Sequence, residues 1–182
     1  MGRKLTHDIR GARDRPYSRS TVNLYLIRHA HAGDRSRWNG HDAERPLSAK
    51  GRDEADDIAD TLEGQPIARV LSSPALRCQQ TVAGLANRLG LSVEVHDMVR
   101  EGATPEQARA LLDELLHAGD DAVICGHGDL IPELLDGLRR DGVKVNGKGV
   151  AKGSVWHLVA RDGRVVRATY HRHPEPGALQ VG

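Results

Sequence analysis

Short apolar runs alternate along the chain with segments in which apolar residues recur at helical spacing. The run Val22–Ile27 is apolar and partly β-branched, which is typical of a buried central strand. Residues 31–46 are polar and contain glycine, asparagine and proline, so they predict a long loop of the kind that often carries function. After Ser48, a good N-cap residue, apolar positions recur on one helix face as far as Leu62.

The same alternation continues through the middle of the chain. Residues 68–74 predict a second strand, which is followed by a helix that ends at Gly90. Residues 92–96 predict a third strand. Residues 104–107 contain a capping box with proline at the first helical position, and they predict the start of the next helix.

The last third of the chain completes an α/β pattern. Residues 121–125 predict a fourth strand, after which Asp129 is expected to cap a helix. The pair Asp162-Gly163 predicts a tight turn between strands over 154–160 and 164–170. The pattern predicts a three-layer α/β/α domain with a mostly parallel central sheet, to which the C-terminal hairpin adds antiparallel edge strands.

One domain over residues 21–172 accounts for these elements. Residues 1–20 form a basic N-terminal extension without the apolar stretch of a signal peptide, and we expect a mobile arm there. Residues 173–182 predict a solvated C-terminal tail. Since no apolar run approaches the length of a membrane span, the sequence favours a cytoplasmic protein without a membrane partner.

Composition narrows the classes of function. Hydrophobic residues make up 38% of the chain and charged residues 28%, a balance that supports a folded core. The aromatic content is only 3%, with no phenylalanine, which disfavours a surface on which nucleic-acid bases stack. The net charge of +1 gives no overall field that would attract DNA. Nucleic acid is therefore not an expected partner, and any anion site must be local.

Three polar clusters follow predicted strands directly: Arg28-His29, residues 73–77 and residues 126–128. Because the carboxyl ends of parallel strands meet at one edge of a sheet, these clusters are expected to converge. Together they supply two imidazoles and two guanidiniums. Guanidiniums hold phosphate oxygens in bidentate fashion, and a neutral imidazole, with a pKa of about 6.5, can attack phosphorus.

Four ordered segments resemble elements of the histidine phosphatase superfamily, which has the phosphoglycerate mutase-like fold. They are LIRHAHAG, RPLSAKGRDEA, LSSPALRCQQT and VICGHGD, and the likeness extends from Asn23 to Tyr170. The resemblance implies a covalent phosphohistidine on His29, with Arg28 and Arg77 binding the phosphoryl group and His127 donating a hydrogen bond to it. It also implies a proton donor after the third strand, for which Glu101 is the first choice and Asp97 the alternative.

Further candidates for substrate contacts are Arg37, Trp38, Gly126 and Lys152. Arg37 and Trp38 suit either a distal phosphate with a stacked base or simple packing of the loop. Lys152 could reach a polyphosphate or remain solvated. His31 and His41 are more typical of solvent-facing loop residues than of substrate contacts.

The remaining titratable groups do not predict a metal or a cofactor. Cys78 and Cys125 fit neither a disulfide framework nor a zinc site, and we expect both to be small buried residues. His171 and His173 lack a further ligand nearby in sequence. The sequence therefore predicts a metal-independent enzyme.

The short segment between Arg77 and Glu101 leaves no room for a helical cap, so an open pocket is expected. Two substrate classes suit such a pocket. The chain resembles SixA-type phosphohistidine phosphatases, which implies a phosphohistidine protein as substrate. It also resembles the domain that follows a Nudix domain in actinobacterial hydrolases, which implies nucleotides or dinucleoside polyphosphates. Mutase activity is disfavoured, because it needs a closed pocket. An inactive phosphate-sensing or protein-interaction module is the alternative from another class.

Overall fold

The structure, a computed structural model, describes residues 21–172 and Leu179. The strands are β1 (Val22–Arg28), β2 (Arg69–Ser72), β3 (Val93–Val95), β4 (Ala122–Gly126), β5 (Lys144–Asn146), β6 (Val155–Arg161) and β7 (Arg164–His171). The helices are α1 (Ala49–Leu62), α2 (Leu76–Leu89), α3 (Pro105–Ala118) and α4 (Leu130–Arg140). The predicted N-terminal extension, 1–20, lies outside the described residues, as does most of the predicted tail.

The strands form one sheet in the order β3-β2-β4-β1-β6-β7-β5. Strands β3, β2, β4 and β1 are parallel neighbours, whereas β6 is antiparallel to both β1 and β7. The predicted mostly parallel sheet is confirmed. The hairpin is not at the edge, however, because β5 pairs in parallel with β7 and forms the edge itself. The sequence analysis missed β5 because its three residues, Lys-Val-Asn, form no apolar run.

Two hydrophobic cores cover the two faces of the sheet. Alternate residues of β1 point to opposite sides: Leu24 and Leu26 pack with α3 and α4, while Tyr25 and Ile27 pack with α1 and α2. Leu179 is buried in the second core, so the expectation of a solvated tail is wrong at that residue. The three-layer prediction is confirmed.

Local signals account for most element boundaries. The Ser48 side chain accepts a hydrogen bond from the Gly51 amide at the start of α1, and α3 begins with the predicted capping box. Gly90 ends α2 with a φ of 68°. Asp129 precedes α4 as predicted but makes no capping hydrogen bond, because its carboxylate accepts one from the Gly102 amide instead.

The topology brings the C-terminal ends of β1, β2 and β4 together on the same side of the sheet. Arg28 and Gly126, at the ends of β1 and β4, are register partners. Ser72, at the end of β2, is the register partner of Cys125. Among the residues that the structure describes, no helix is long and apolar enough to cross a membrane.

Candidate active site

His29 and His127 face each other beyond the ends of β1 and β4. Their ring centroids are 5.5 Å apart, with the planes inclined at 66°. The backbone N–H of His29 donates to the carbonyl of Gly126 at 3.0 Å, which ties the two strand ends together. Both histidines are buried, with exposed fractions of 6% and 3%. The two rings therefore occupy a fixed, largely water-free position.

The protonation state of His29 is set by its surroundings. Nδ1 lies 2.8 Å from the carbonyl oxygen of Ala30, which can only accept, so Nδ1 carries the hydrogen and Nε2 keeps its lone pair. Burial lowers the pKa of His29, and the hydrogen bond to Ala30 opposes this effect. The nearby charges of His127 and the two arginines lower the pKa further, to about 3. The ring is therefore neutral near pH 7, with Nε2 available as a nucleophile.

His127 is held by residues that follow β2. Its Nε2 is hydrogen-bonded to the Ser73 hydroxyl at 2.8 Å and lies 3.5 Å from the Cys78 sulfur. Ser73 also accepts a hydrogen bond from the Ala75 amide at 3.3 Å, which fixes the hydroxyl. With Nε2 engaged, Nδ1 is the ring nitrogen left to contact a phosphoryl oxygen. Ser73 thus orients His127, a role that the sequence analysis did not assign to it.

The guanidinium of Arg28 packs on the backbone of Gly128. Its Nη1 donates to the carbonyl of Val150 at 2.6 Å, while its Nε is buried and has no hydrogen-bond partner among the described residues. A Cβ atom on Gly128 would lie 2.7 Å from that Nε, so only glycine permits this approach. An unpaired buried donor of this kind is suited to an anion.

Arg77 lies at the start of α2 with only 1% of its surface exposed. Its Nη1 donates to the backbone carbonyl of Asp42 at 2.7 Å. Its Nη2 lies 3.1 Å from the Asp42 carboxylate and 2.8 Å from the Glu101 carboxylate. The Nε of Arg77 is buried without a hydrogen-bond partner among residues 21–172 and 179. Two carboxylates therefore hold the side chain in place.

Asp42, which the sequence analysis did not single out, is the centre of an ion-pair network. Besides Arg77 it binds Arg45 Nε at 2.9 Å and lies 3.4 Å from Arg35 Nε. Arg45 in turn donates to the carbonyl of Ala32 at 2.6 Å, which anchors the 31–46 loop. Burial raises the pKa of Asp42, but the hydrogen bond from Arg45 and the surrounding arginine charges outweigh it and lower the pKa overall. Asp42 is thus held as a carboxylate.

Of the two predicted proton donors, Glu101 is the one beside the site. It bridges Arg77 and Arg35, with a distance of 3.2 Å to the latter. Asp97 is exposed in a short 3-10 turn, Asp97–Val99, and does not line the cleft. The cleft has a volume of about 360 Å³ and is lined by Arg35, His41, Asp42, Ala43, Ser73, Pro74, Ala75, Arg77, Arg100, Glu101 and His127.

A larger cavity, of about 920 Å³, lies at the N-terminal ends of β1 and β4, on the opposite side from the cleft. It is lined by Asn23 of β1, Asp121 before β4 and residues of the turn after α1, and no histidine or arginine of the described residues lines it. We place the site at the smaller cleft because His127 and Arg77 line it, and the His29 ring lies behind them, 5.5 Å from that of His127.

The four predicted substrate-contact residues differ in position. Arg37 and Trp38 line a shallow cavity of about 260 Å³ next to Arg45, and the Trp38 indole donates to the carbonyl of His41 at 3.0 Å. Gly126 is buried, and its carbonyl accepts the hydrogen bond from the His29 amide. It therefore links the ends of β1 and β4 and does not line the cleft. Lys152 lies in the segment that precedes β6, within electrostatic range of Arg28 and Arg77.

The remaining histidines and the two cysteines lie outside the pair of facing rings. His31 Nδ1 is hydrogen-bonded to the Ser48 hydroxyl at 2.7 Å, so it contributes to the start of α1. His41 lines the cleft. Cys78 and Cys125 are buried free thiols, as predicted. His173 lies outside the described residues, and within the described ones no three metal-ligating side chains converge.

Comparison of the sequence with known proteins identifies its relatives. Residues 24–106 match the family model of the histidine phosphatase superfamily (branch 1). The 8-oxo-(d)GTP phosphatase of Mycolicibacterium smegmatis is 33% identical over 159 residues, which cover 85% of this chain. The chain spans about half, 49%, of the length of this curated relative.

Solved structures of the same fold are also found. The protein histidine phosphatase SixA complexed with tungstate superimposes with a TM-score of 0.67 at 24% identity, covering 87% of this chain and 100% of SixA. A mycobacterial glucosyl-3-phosphoglycerate phosphatase gives a TM-score of 0.66 at 18% identity, covering 85% of this chain and 99% of its own. At these identities the likeness concerns the fold alone, and it confirms the predicted phosphoglycerate mutase-like architecture.

Proposed function

We propose that this chain, whose residues 24–106 match the family model of the histidine phosphatase superfamily, is a metal-independent phosphatase that works through a phosphohistidine on His29. The observation that carries the proposal is the state of His29 itself. Its imidazole is buried and neutral, with Nδ1 hydrogen-bonded to Ala30 and Nε2 in no hydrogen bond with the described residues. A nucleophile of this kind beside two guanidiniums is suited to phosphoryl transfer.

In the first step the phosphoryl group lies between Arg28, Arg77 and His127. The lone pair of His29 Nε2 forms a bond to phosphorus, and the bond from phosphorus to the leaving oxygen breaks with its electron pair. The guanidinium of each arginine can bind phosphoryl oxygens as negative charge develops. His127, oriented by Ser73, donates to a third oxygen.

In the second step water attacks the phosphorus and the nitrogen–phosphorus bond returns its electrons to Nε2. Glu101 is proposed to protonate the leaving oxygen first and then to accept a proton from the attacking water. Its carboxylate lies at the open side of the cleft, where it contacts Arg77 and Arg35. For this role Glu101 must leave Arg77 when substrate arrives, which its 45% side-chain exposure permits.

Two substrate classes agree with these observations. A phosphohistidine protein fits the open cleft and the likeness to SixA. A nucleotide is favoured by a specific observation, the 33% identity to an 8-oxo-(d)GTP phosphatase, and by the Arg37–Trp38 surface beside the site. Both classes require the same attack by His29.

The proposal is tested by hydrolysis of p-nitrophenyl phosphate in the presence of a chelator. We expect wild-type turnover and a phosphorylated enzyme that is labile in acid, because a phosphoramidate bond is formed. His29→Ala should abolish both signals. The control is His117→Ala, which removes an exposed histidine near the end of α3. Turnover without phosphoenzyme, or activity in His29→Ala, would overturn the proposal.

A further inference from the structure

Lys152 lies in a segment that wraps around the end of β1. The amide of Gly153 donates to the carbonyl oxygens of Arg28, at 3.1 Å, and of His29, at 3.3 Å. The amide of Arg28 donates to Ser154 at 3.1 Å, and its guanidinium donates to Val150. Lys152 is therefore anchored next to the proposed nucleophile by backbone contacts on both sides.

In the described part of the chain, the charge of Lys152 is not neutralised by an ion pair. Among the described residues, no carboxylate lies within ion-pair distance of it, although Asp34 and Glu54 are near enough to interact. Glu54 is already engaged, since it accepts a hydrogen bond from the His31 amide at 2.7 Å. Partial burial lowers the pKa of Lys152, and the nearby guanidiniums of Arg28 and Arg45 lower it further.

Arg28, like Lys152, has no ion-pair partner among the described residues, whereas Arg77 has two. Arg77 has Asp42 and Glu101 as carboxylate partners. In the part of the chain that the structure describes, the only hydrogen bond of the Arg28 side chain is to a neutral carbonyl. Among the described residues, Arg28 and Lys152 thus form a side of the site with two cations that have no ion-pair partner, although the Glu54 carboxylate interacts with Lys152 at longer range. One phosphoryl group, shared between Arg28 and Arg77, would leave Lys152 unneutralised.

We propose that Lys152, together with Arg28, forms a second anion subsite that binds the phosphate adjacent to the one attacked by His29. This inference rests on the proposed function and assigns its substrate class: phosphoanhydrides, such as nucleoside diphosphates, in preference to monoesters and phosphorylated proteins. A lysine ammonium binds phosphate as a flexible point charge, which suits a group that departs after reaction.

With a nucleoside diphosphate as substrate, the terminal phosphoryl group is transferred to His29. Nε2 of His29 forms a bond to the terminal phosphorus, and the bond from that phosphorus to the bridging oxygen breaks. The bridging oxygen keeps the electron pair and leaves as part of a nucleoside monophosphate, whose added negative charge faces Lys152. Water then hydrolyses the phosphohistidine to inorganic phosphate. Lys152 stabilises the departing charge, and a simple aryl ester offers it no second phosphate.

The test compares kcat/KM for GDP with kcat/KM for p-nitrophenyl phosphate in Lys152→Gln. Loss of a charged contact to phosphate should lower the ratio of the two constants by about tenfold or more. Lys148→Gln is the control, because Lys148 is an exposed lysine of the same segment, and it should leave the ratio unchanged. An unchanged ratio in Lys152→Gln would overturn the inference.

Inhibition provides a binding readout that does not depend on turnover. Methylenediphosphonate carries two linked anionic groups, whereas methylphosphonate carries one. Lys152→Gln should raise the inhibition constant of the first about tenfold more than that of the second. A wild-type enzyme that hydrolyses p-nitrophenyl phosphate but not GDP would refute the second subsite while the phosphatase proposal stands. If it hydrolyses neither, both proposals fail.

Discussion

The most direct prediction concerns the response of His29 to acid. An ordinary imidazole, with a pKa of about 6.5, is about 76% neutral at pH 7 and about 3% neutral at pH 5, a loss of about 25-fold in nucleophile. With its pKa lowered to about 3 by burial, His29 remains about 99% neutral at pH 5. We therefore expect the rate of His29 phosphorylation to change less than about twofold between pH 7 and pH 5.

The assay is a single-turnover rapid-quench measurement of the phosphoenzyme with 2,4-dinitrophenyl phosphate. This leaving group needs no proton, so Glu101 is not required for its departure. Rates are corrected for the ionisation of the substrate, measured in the same buffers. The experiment is repeated in Glu101→Gln so that titration of the carboxylate is not mistaken for that of the ring. A fall of tenfold or more that follows one proton near pH 6.5 in both proteins would refute the assignment of a neutral, desolvated nucleophile.

Three further predictions concern the residues around the nucleophile. Arg77→Ala should lower kcat/KM for p-nitrophenyl phosphate by about 10²-fold or more, because a charged donor is lost, whereas His31→Ala should have a much smaller effect; equal effects would contradict the site. Gly128→Ala should lower the same constant with little change in thermal stability, because the new Cβ meets Arg28 Nε at 2.7 Å; wild-type activity would show that the guanidinium can move at no cost. Glu101→Gln should slow esters with poor leaving groups more than those with good ones, and no such difference would remove Glu101 as the proton donor.

The sequence predicts the fold well where elements have strong local signals. Strand β1 is a continuous apolar run, and α3 carries a full capping box. Strand β5 has only three residues, two of them polar, and its pairing with β7 leaves no local signal in the sequence. The position of the hairpin within the sheet likewise depends on β5, a long-range pairing that no local pattern specifies.

The convergence of the predicted site residues follows from topology. Parallel strands place Arg28, His29 and His127 at one edge, and the start of α2 adds Arg77. The partners of these residues are harder to predict. Asp42 is one of many polar residues in a loop without periodicity, and its role depends on how that loop folds over α2.

The two proposed phosphate-binding arginines differ in electrostatic state, and this difference constrains how substrate can bind. Arg77 is already paired with Asp42 and Glu101, so phosphate binding there exchanges carboxylate contacts for phosphoryl contacts. Arg28 has a neutral carbonyl partner, so binding there neutralises a free charge. We therefore expect Coulomb attraction on the Arg28 side to contribute more to ground-state affinity, while the carboxylates on the other side keep Arg77 oriented before substrate arrives. Because Lys152 adds to the free charge on the Arg28 side, a ligand with two adjacent anionic groups gains most there.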